Sequence, residues 1–201
     1  MKGNTAYNMA REMLMAGGVG VMPTDTLYGI VGSALRSRTV ARIYRLRRRS
    51  PKKPMIILIG DVRDVSRFGV HLDRATSKLL KKVWPGKVSV VLPIAEGRAS
   101  VLKKFKYLHR GGGSLAFRLP RPAWLRAMLQ KTGPLVAPSA NFEGALPAKT
   151  IAAAKKYFGD RADFYIDAGR LNAKPSTLIE IKHGAANILR RGAGKIPKHL
   201  A

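Results

Sequence analysis

Short apolar runs punctuated by glycine and proline alternate with segments of helical periodicity, and this alternation most narrows the folds open to the chain. Residues 19–22, 55–59, 88–92, 115–119, 135–137, 177–181 and 187–189 read as strands. The run 55–59 is continuously apolar after a proline, the pattern of a buried strand. Helical patterns fall between them. Residues 5–16 have Thr5 or Asn4 as a cap and Gly17-Gly18 as a stop, and 39–46 carry Val40, Ile43 and Tyr44 on one face and arginines on the others. Residues 75–84 end at Pro85-Gly86, 122–130 begin with a proline near the first helical position, and 151–158 stop at Gly159. The order predicts an α/β (α+β) class built around one mixed sheet. A chain of 201 residues with 46% hydrophobic residues fits a single domain, 1–201, with a real core. The basic, Gly/Pro-containing end from Gly192 is expected to fray.

Charge says nothing about fold but much about partners. The chain has 38 Lys plus Arg against 11 Asp plus Glu, a net +27. Such a chain attracts polyanions: a nucleic acid, a nucleotide or an anionic membrane. Cysteine is absent, which excludes disulfides, thiolate zinc sites and a cysteine nucleophile and fits a reducing compartment. Arg11 and Glu12 break the first apolar stretch before it reaches signal-peptide length, and no stretch is long enough for a transmembrane helix. The expectation is a cytoplasmic protein with no membrane partner.

Familiar chemistries fail on spacing. Gly194-Lys195 has Leu189 where a P-loop needs glycine and Ile196 where it needs Ser or Thr. Gly111-Gly112-Gly113 precedes a strand instead of opening a helix, so it reads as a flexible loop and not a dinucleotide fingerprint. His71, His109, His183 and His199 stand far apart and read as surface or capping residues. With acids scarce, no protein metal site is predicted, and any Mg²⁺ would arrive on a nucleotide's phosphates.

What remains is a set of cations and small polar residues beside turns. Arg42, Arg45, Arg47, Arg48, Arg49, Lys52 and Lys53 follow one another with no acid between them. A charge run is usually a solvated helix face. This one continues past its helix through Ser50-Pro51 and straight into a buried strand at Pro54, where cations can converge on one point. Arginine's planar fork suits phosphate oxygens. Pro138-Ser139-Ala140-Asn141 with Gly144 follows a short strand, and its hydroxyl, amide and backbone N–H groups can meet a phosphate or ribose, or make an ordinary capped turn. Pro23-Thr24-Asp25-Thr26 alone reads as an Asx-type turn.

Together these pieces resemble one family, the YrdC/TsaC-type threonylcarbamoyl-AMP synthases. Pro23-Thr24-Asp25-Thr26-Leu27-Tyr28-Gly29 is similar to its opening motif. Arg47-Arg48-Arg49 and Lys53-Pro54-Met55 resemble its Lys-x-Arg segment and Lys-Pro-Leu, and Trp84-Pro85-Gly86-Lys87-Val88-Ser89 its Trp-Pro-Gly-Pro-x-Thr turn. Ser114-Leu115-Ala116-Phe117-Arg118-Leu119-Pro120 matches its Ser-x-Ala-x-Arg-x-Pro strand, and Ser139-Ala140-Asn141 with Gly144 its Ser-Ala-Asn-x-Ser-Gly motif. Pro175-Ser176-Thr177 and Ile188-Leu189-Arg190 complete the order, so the match runs from about residue 19 to 193.

The resemblance implies a single YrdC-like domain, a twisted mixed sheet flanked by helices with a concave basic surface. It implies that ATP, L-threonine and bicarbonate give threonylcarbamoyl-AMP and pyrophosphate, and that a downstream transfer enzyme modifies tRNA beside the anticodon. Carried over by motif, Arg47 and Arg49 are the catalytic cations and face the triphosphate with Lys53. Ser114, Ser139, Asn141 and Arg190 also hold ATP. Thr26, Tyr28, Arg118 and Ser176 hold threonine, with Arg118, beside apolar Ala116 and Phe117, meeting its carboxylate. Mg²⁺ comes with ATP. Three positions depart from the family: Arg47 stands for its lysine, Leu58 for a histidine often found after Lys-Pro-Leu, and Glu143 for the serine of Ser-Ala-Asn-x-Ser-Gly. These leave open a relative with another amine or acyl substrate. The net charge also fits an RNA-binding protein of this fold without synthase activity, and residues 103–110 interleave Phe105 and Tyr107 with bases.

Overall fold

The computed structural model describes residues 2–182 and 185–197, with side chains for 5–181 and 186–197. His183 and His199 lie outside the described residues. The chain begins with α1 (Lys2–Ala16), β1 (Val19–Pro23), β2 (Tyr28–Ser33), α2 (Ser37–Leu46) and β3 (Ile57–Leu58). A 3₁₀ segment, Val62–Phe68, leads to α3 (Arg74–Val83), β4 (Val88–Pro93), α4 (Ala99–Lys104), α5 (Lys106–His109) and β5 (Ser114–Arg118). Then follow α6 (Ala123–Thr132), β6 (Leu135–Val136), α7 (Ile151–Phe158), β7 (Phe164–Tyr165), β8 (Thr177–Lys182) and β9 (Ala185–Arg190). Among the described residues the nine strands join one mixed sheet in the order β7-β1-β2-β6-β3-β5-β4-β8-β9.

Several elements differ from the pattern reading. α1 starts before Asn4 and Thr5, so neither caps it. Pro122 is the N-cap of α6, with extended backbone, and not its first helical residue. β3 keeps only the centre of 55–59, because it pairs just two residues with β5 on one side and with β6 on the other. β2 carries Gly29, Gly32 and Ser33, too small to give an apolar signal. Its glycine at 32 is required: a Cβ there would lie 2.5 Å from Thr39 Cγ2 on α2. The end of the chain is tied back as far as Gly194. Gly192 N donates to Thr177 Oγ1, Ala193 N to Pro175 O, and Thr177 Oγ1 to Gly194 O.

The two faces of the sheet are covered unequally, and this places the site. On one face Val21, Ile30, Ile57, Phe117, Val90 and Ile179 pack under Val40 and Ile43 of α2, Leu79 and Leu80 of α3, Ile151 and Phe158 of α7, and Phe68 and Phe105. Burying each such side chain stabilises the fold by about 1.5–3 kcal/mol. On the other face Met22, Val31, Leu58 and Leu135 pack against Ala10 and Leu14 of α1 and Leu125, Met128 and Leu129 of α6. Among the described residues that second layer stops at β3. Strand alternation turns Ala116, Val91 and Leu178 to the same side as Arg118 and Leu58, and all three apolar residues remain partly exposed. The β5-β4-β8-β9 half therefore presents an open face, and Arg118 stands where the helical cover ends.

Candidate functional site

Where the cover ends, six of the sequence-predicted residues come together. Thr26, Tyr28, Arg118, Ser139, Ser176 and Arg190 line one cavity of about 40 Å³, with Thr24, Gly29, Ile56 and Ala137 beside them. Topology brings them there. The β1–β2 hairpin supplies Thr24 to Tyr28, the end of β5 Arg118, the segment after β6 Ser139, the residue just before β8 Ser176, and the end of β9 Arg190. A space this small admits little more than a polar head group, so a larger ligand extends along the open face.

Arg118 is almost wholly buried, and its Nη2 meets Asp25 Oδ1 at 3.0 Å. Burial lowers its affinity for a proton, the Asp25 carboxylate opposes that, and neighbouring Arg190 reinforces it. The anionic partner that a buried guanidinium needs is thus the chain's own Asp25. Among the described residues Arg118 Nε has no hydrogen-bond partner. In the sequence Asp25 is hidden, because an Asx-type turn explains it locally. Its partner lies on a distant strand, and the buried arginine of β5 was the one signal that an acid had to be near.

The hydroxyls are fixed by local bonds. Thr24 Oγ1 accepts from Thr26 N and donates to Leu27 O at 2.8 Å, which closes the hairpin turn and places Thr26 Oγ1 3.2 Å away. Tyr28 is fully buried, and its hydroxyl contacts Asp167 and donates to Gly169 O while accepting from Ala168 N. Its phenol therefore anchors residues 167–169 and is pushed up in pKa, chiefly by burial. Ser176 Oγ lies 2.9 Å from Ser89 Oγ, and Arg190 Nη2 donates to Ser176 O. Ser89, the last residue of the Trp-Pro-Gly turn, thus supports the site from β4.

The remaining predicted residues sit outside the cavity. Arg47 is 3% exposed and lies under the 139–141 segment. Its Nε donates to Ser139 O and Asn141 O, and its Nη2 to Ser139 Oγ and Asn141 Oδ1. Burial, then the charge of Arg49, lowers its pKa to about 10. It is a fastener of the loop that carries Ser139, and among the described residues its Nη1 has no hydrogen-bond partner. Asn141 is buried too, and its amide closes the following turn onto Phe142 O and Ala145 O. Arg49 caps the next turn through Lys53 O and Pro54 O, and Lys53 Nζ meets Glu143 Oε1 at 2.8 Å. These two form an outer cationic shelf. Ser114 is four residues from Arg118 on β5, opposite Pro93, which puts it on the order of 13 Å from the cavity.

Two guanidiniums and a ring of hydroxyls thus line one cavity beside an open apolar sheet face in an α/β domain, a donor set suited to an anion. Among the described residues no group of three His, Asp or Glu could hold a metal ion, and no helix is long and apolar enough to cross a membrane. His109 is buried and stitches its loop, with Nε2 2.8 Å from Leu102 O and Nδ1 accepting from Gly111 N.

Comparison with known proteins identifies the family. The Sua5/YciO/YrdC family model, described as telomere recombination, matches residues 12–192, and the chain belongs to that family. It is 32% identical over 179 residues to a threonylcarbamoyl-AMP synthase of Marinobacter nauticus, covering 88% of this chain and 91% of that one. It is 28% identical over 189 residues to a putative threonylcarbamoyl-AMP synthase of Methanocaldococcus jannaschii, covering 94% and 86%. Pyrococcus abyssi Sua5 complexed with L-threonine superposes with a TM-score of 0.78 at 25% identity over 92% of this chain. The chain spans about half of that protein, 54%. Escherichia coli YciO superposes with a TM-score of 0.81 at 23% identity, covering 97% and 92%, a likeness of fold. The single YrdC-like α/β domain expected from the motifs is the fold observed.

Proposed function

We propose that the chain is a threonylcarbamoyl-AMP synthase, converting ATP, L-threonine and bicarbonate to threonylcarbamoyl-AMP and pyrophosphate. The observation that carries this reading is the convergence of Arg118 and Arg190 with Thr26, Ser139 and Ser176 on one cavity at the edge of an open sheet face. Relatives with that activity in their names and the threonine complex of the Pyrococcus protein support it.

The chemistry asks for this kind of site. Threonine's amine adds to bicarbonate or CO₂, and the carbamate oxygen then attacks the α-phosphate as pyrophosphate leaves. Two anions must meet, so catalysis rests on positioning and charge neutralisation. In this reading Arg118 and the hydroxyls of Thr26 and Ser176 hold the amino acid, with Tyr28 shaping its wall. Ser139 and Arg190 hold the nucleotide. Arg49 and Lys53 face the outer phosphates, and Mg²⁺ enters on those phosphates as part of the substrate. Arg47 and Asn141 act by fixing the Ser139 loop. The product acylates a tRNA adenosine through a downstream transfer enzyme. Incubation with ATP, labelled bicarbonate and threonine, read by pyrophosphate release, tests the reading. Release that does not depend on threonine would overturn it.

A second reading, RNA binding without synthesis, is favoured by the net charge of +27. The same assay separates the two.

A further inference from the structure

We propose that Glu143 is an internal stand-in for ligand phosphate: its carboxylate occupies the cationic shelf of Arg49 and Lys53 and must be displaced when a polyphosphate binds. The inference rests on the nucleotide reading of that shelf.

Three contacts converge on this one side chain. Oε1 lies 2.8 Å from Lys53 Nζ and 3.9 Å from Arg49 Nη1, and Oε2 accepts from Ser50 N at 2.5 Å. A backbone N–H and two cations on one set of oxygens is the environment a phosphate group takes in a loop of this type. The backbone of the two segments is joined as well, since Glu143 N donates to Arg47 O. The carboxylate is therefore held on the shelf from both sides. Lys53 and the Ser50 N–H draw its pKa down to about 2, so it is anionic at every working pH.

The surroundings give the arrangement its consequence. Residues 42–53 contain seven cations and no acid. Left bare, Arg47, Arg49 and Lys53 would repel one another, and Arg47 already feels the charge of Arg49. In a chain with 11 acids against 38 bases, Asp163 takes Arg42 at the near end of this run and Glu143 is placed on Arg49 and Lys53. Glu143 serves as the counter-ion of the ligand-free protein and as a like-charge competitor of an incoming phosphate. Lys53 is 63% exposed, so its ammonium can swing from carboxylate to ligand without unfolding the turn. Glu143 thereby imposes a cost on any ligand group that enters the shelf, and that cost grows with the negative charge the ligand brings beside the carboxylate.

The test measures binding of inorganic tripolyphosphate and of ATP by calorimetry at fixed ionic strength, for the unaltered chain, Glu143→Gln and Glu143→Ser. Gln keeps an acceptor for Ser50 N but removes the charge. Removing a like charge beside a bound anion should tighten tripolyphosphate and ATP by about tenfold, with no gain for adenosine. The preference for three phosphates over one should widen in both variants, because the ligand with more charge on the shelf loses more repulsion. If both variants bind tripolyphosphate no tighter than the unaltered chain, or less tightly, Glu143 is a structural tie and the inference falls. Failure of any protein to bind tripolyphosphate overturns it too. Tighter tripolyphosphate binding without ATP binding would sustain the inference and sink the nucleotide reading. ATP binding that is indifferent to residue 143 would do the reverse.

Discussion

Arg118 and Asp25 meet at 3.0 Å with 4% and 2% of their side chains exposed, so the hairpin that opens the site is locked to the central strand by a buried ion pair. A buried pair contributes little over an apolar pair of the same shape, but breaking it from one side leaves an uncompensated charge. Asp25→Ala should cost about 3–5 kcal/mol in urea unfolding. A loss below about 1 kcal/mol would mean that the guanidinium finds water or another partner when Asp25 is removed.

Arg118→Lys tests what else that guanidinium does. A lysine can still face Asp25, but as a single compact charge it cannot offer a second edge to a carboxylate. Threonine KM should rise more than ATP KM. Equal changes in both would confine Arg118 to the ion pair with Asp25.

Arg49 and Arg48 make an informative pair. Removing one preorganised cation from developing charge typically lowers the rate by ~10²–10³, and Arg49→Ala should do so in pyrophosphate release. Arg48 points elsewhere: its guanidinium lies 4.2 Å from the Phe142 ring centroid, and its backbone has φ 51. Arg48→Gly suits that backbone while removing the cation–π contact, so it should leave both rate and stability nearly unchanged. Comparable rate losses in the two variants would take Arg49 out of the phosphate shelf.

Much of this architecture was legible in the chain because its signals are local. The seven-residue opening motif, the arginine on β5 and the Ser-Ala-Asn turn each sit within one element or loop, and the fold carries Thr26, Arg118 and Ser139 into one cavity. What stayed hidden depends on distant partners. Arg47 looks like every other arginine of its run, yet it alone in 42–53 is buried among the cations, because the 139–141 loop folds over it. β2 hides behind small residues. The helices α4 and α5 hide behind lysines, and the apolar Phe105 between them turns inward to Phe68, 5.1 Å between ring centroids.

Acid should unfold the protein through its depressed carboxylates. Glu143 is lowered from 4.5 to about 2 by Lys53 and Ser50 N, and Asp61 from 3.8 to about 2 by Arg63. A carboxylate with a lowered folded pKa contributes stability above its unfolded value and loses it as pH falls toward its folded one. Urea midpoints should therefore drop between pH about 4.5 and 2, and the drop should be shallower in Glu143→Gln. Parallel curves for the two proteins would mean that the Glu143 contacts add nothing to stability.

The surplus of positive charge leads to the last expectation. A nucleotide site needs few cations, and the exposed Arg38, Arg45, Arg48 and Lys52 of one segment and Lys103, Lys104 and Lys106 of another lie outside the cavity lining. Phe105 is buried, and the Tyr107 hydroxyl is held by Ala34 O, so neither interleaved ring is free to stack on a base. RNA contact along this lysine segment must then run through phosphates. Labelled tRNA titrated at several salt concentrations should bind at low salt, with log K falling against log[salt] by ~0.7–0.9 per phosphate neutralised and at least about three phosphates' worth in all. Sequence preference should be slight, because phosphate contacts carry no base information. Changing Lys103, Lys104 and Lys106 together to Gln should reduce the slope while leaving pyrophosphate release intact. Binding that is absent at low salt, or indifferent to salt, would remove RNA from the list of partners and leave the cavity's chemistry untouched.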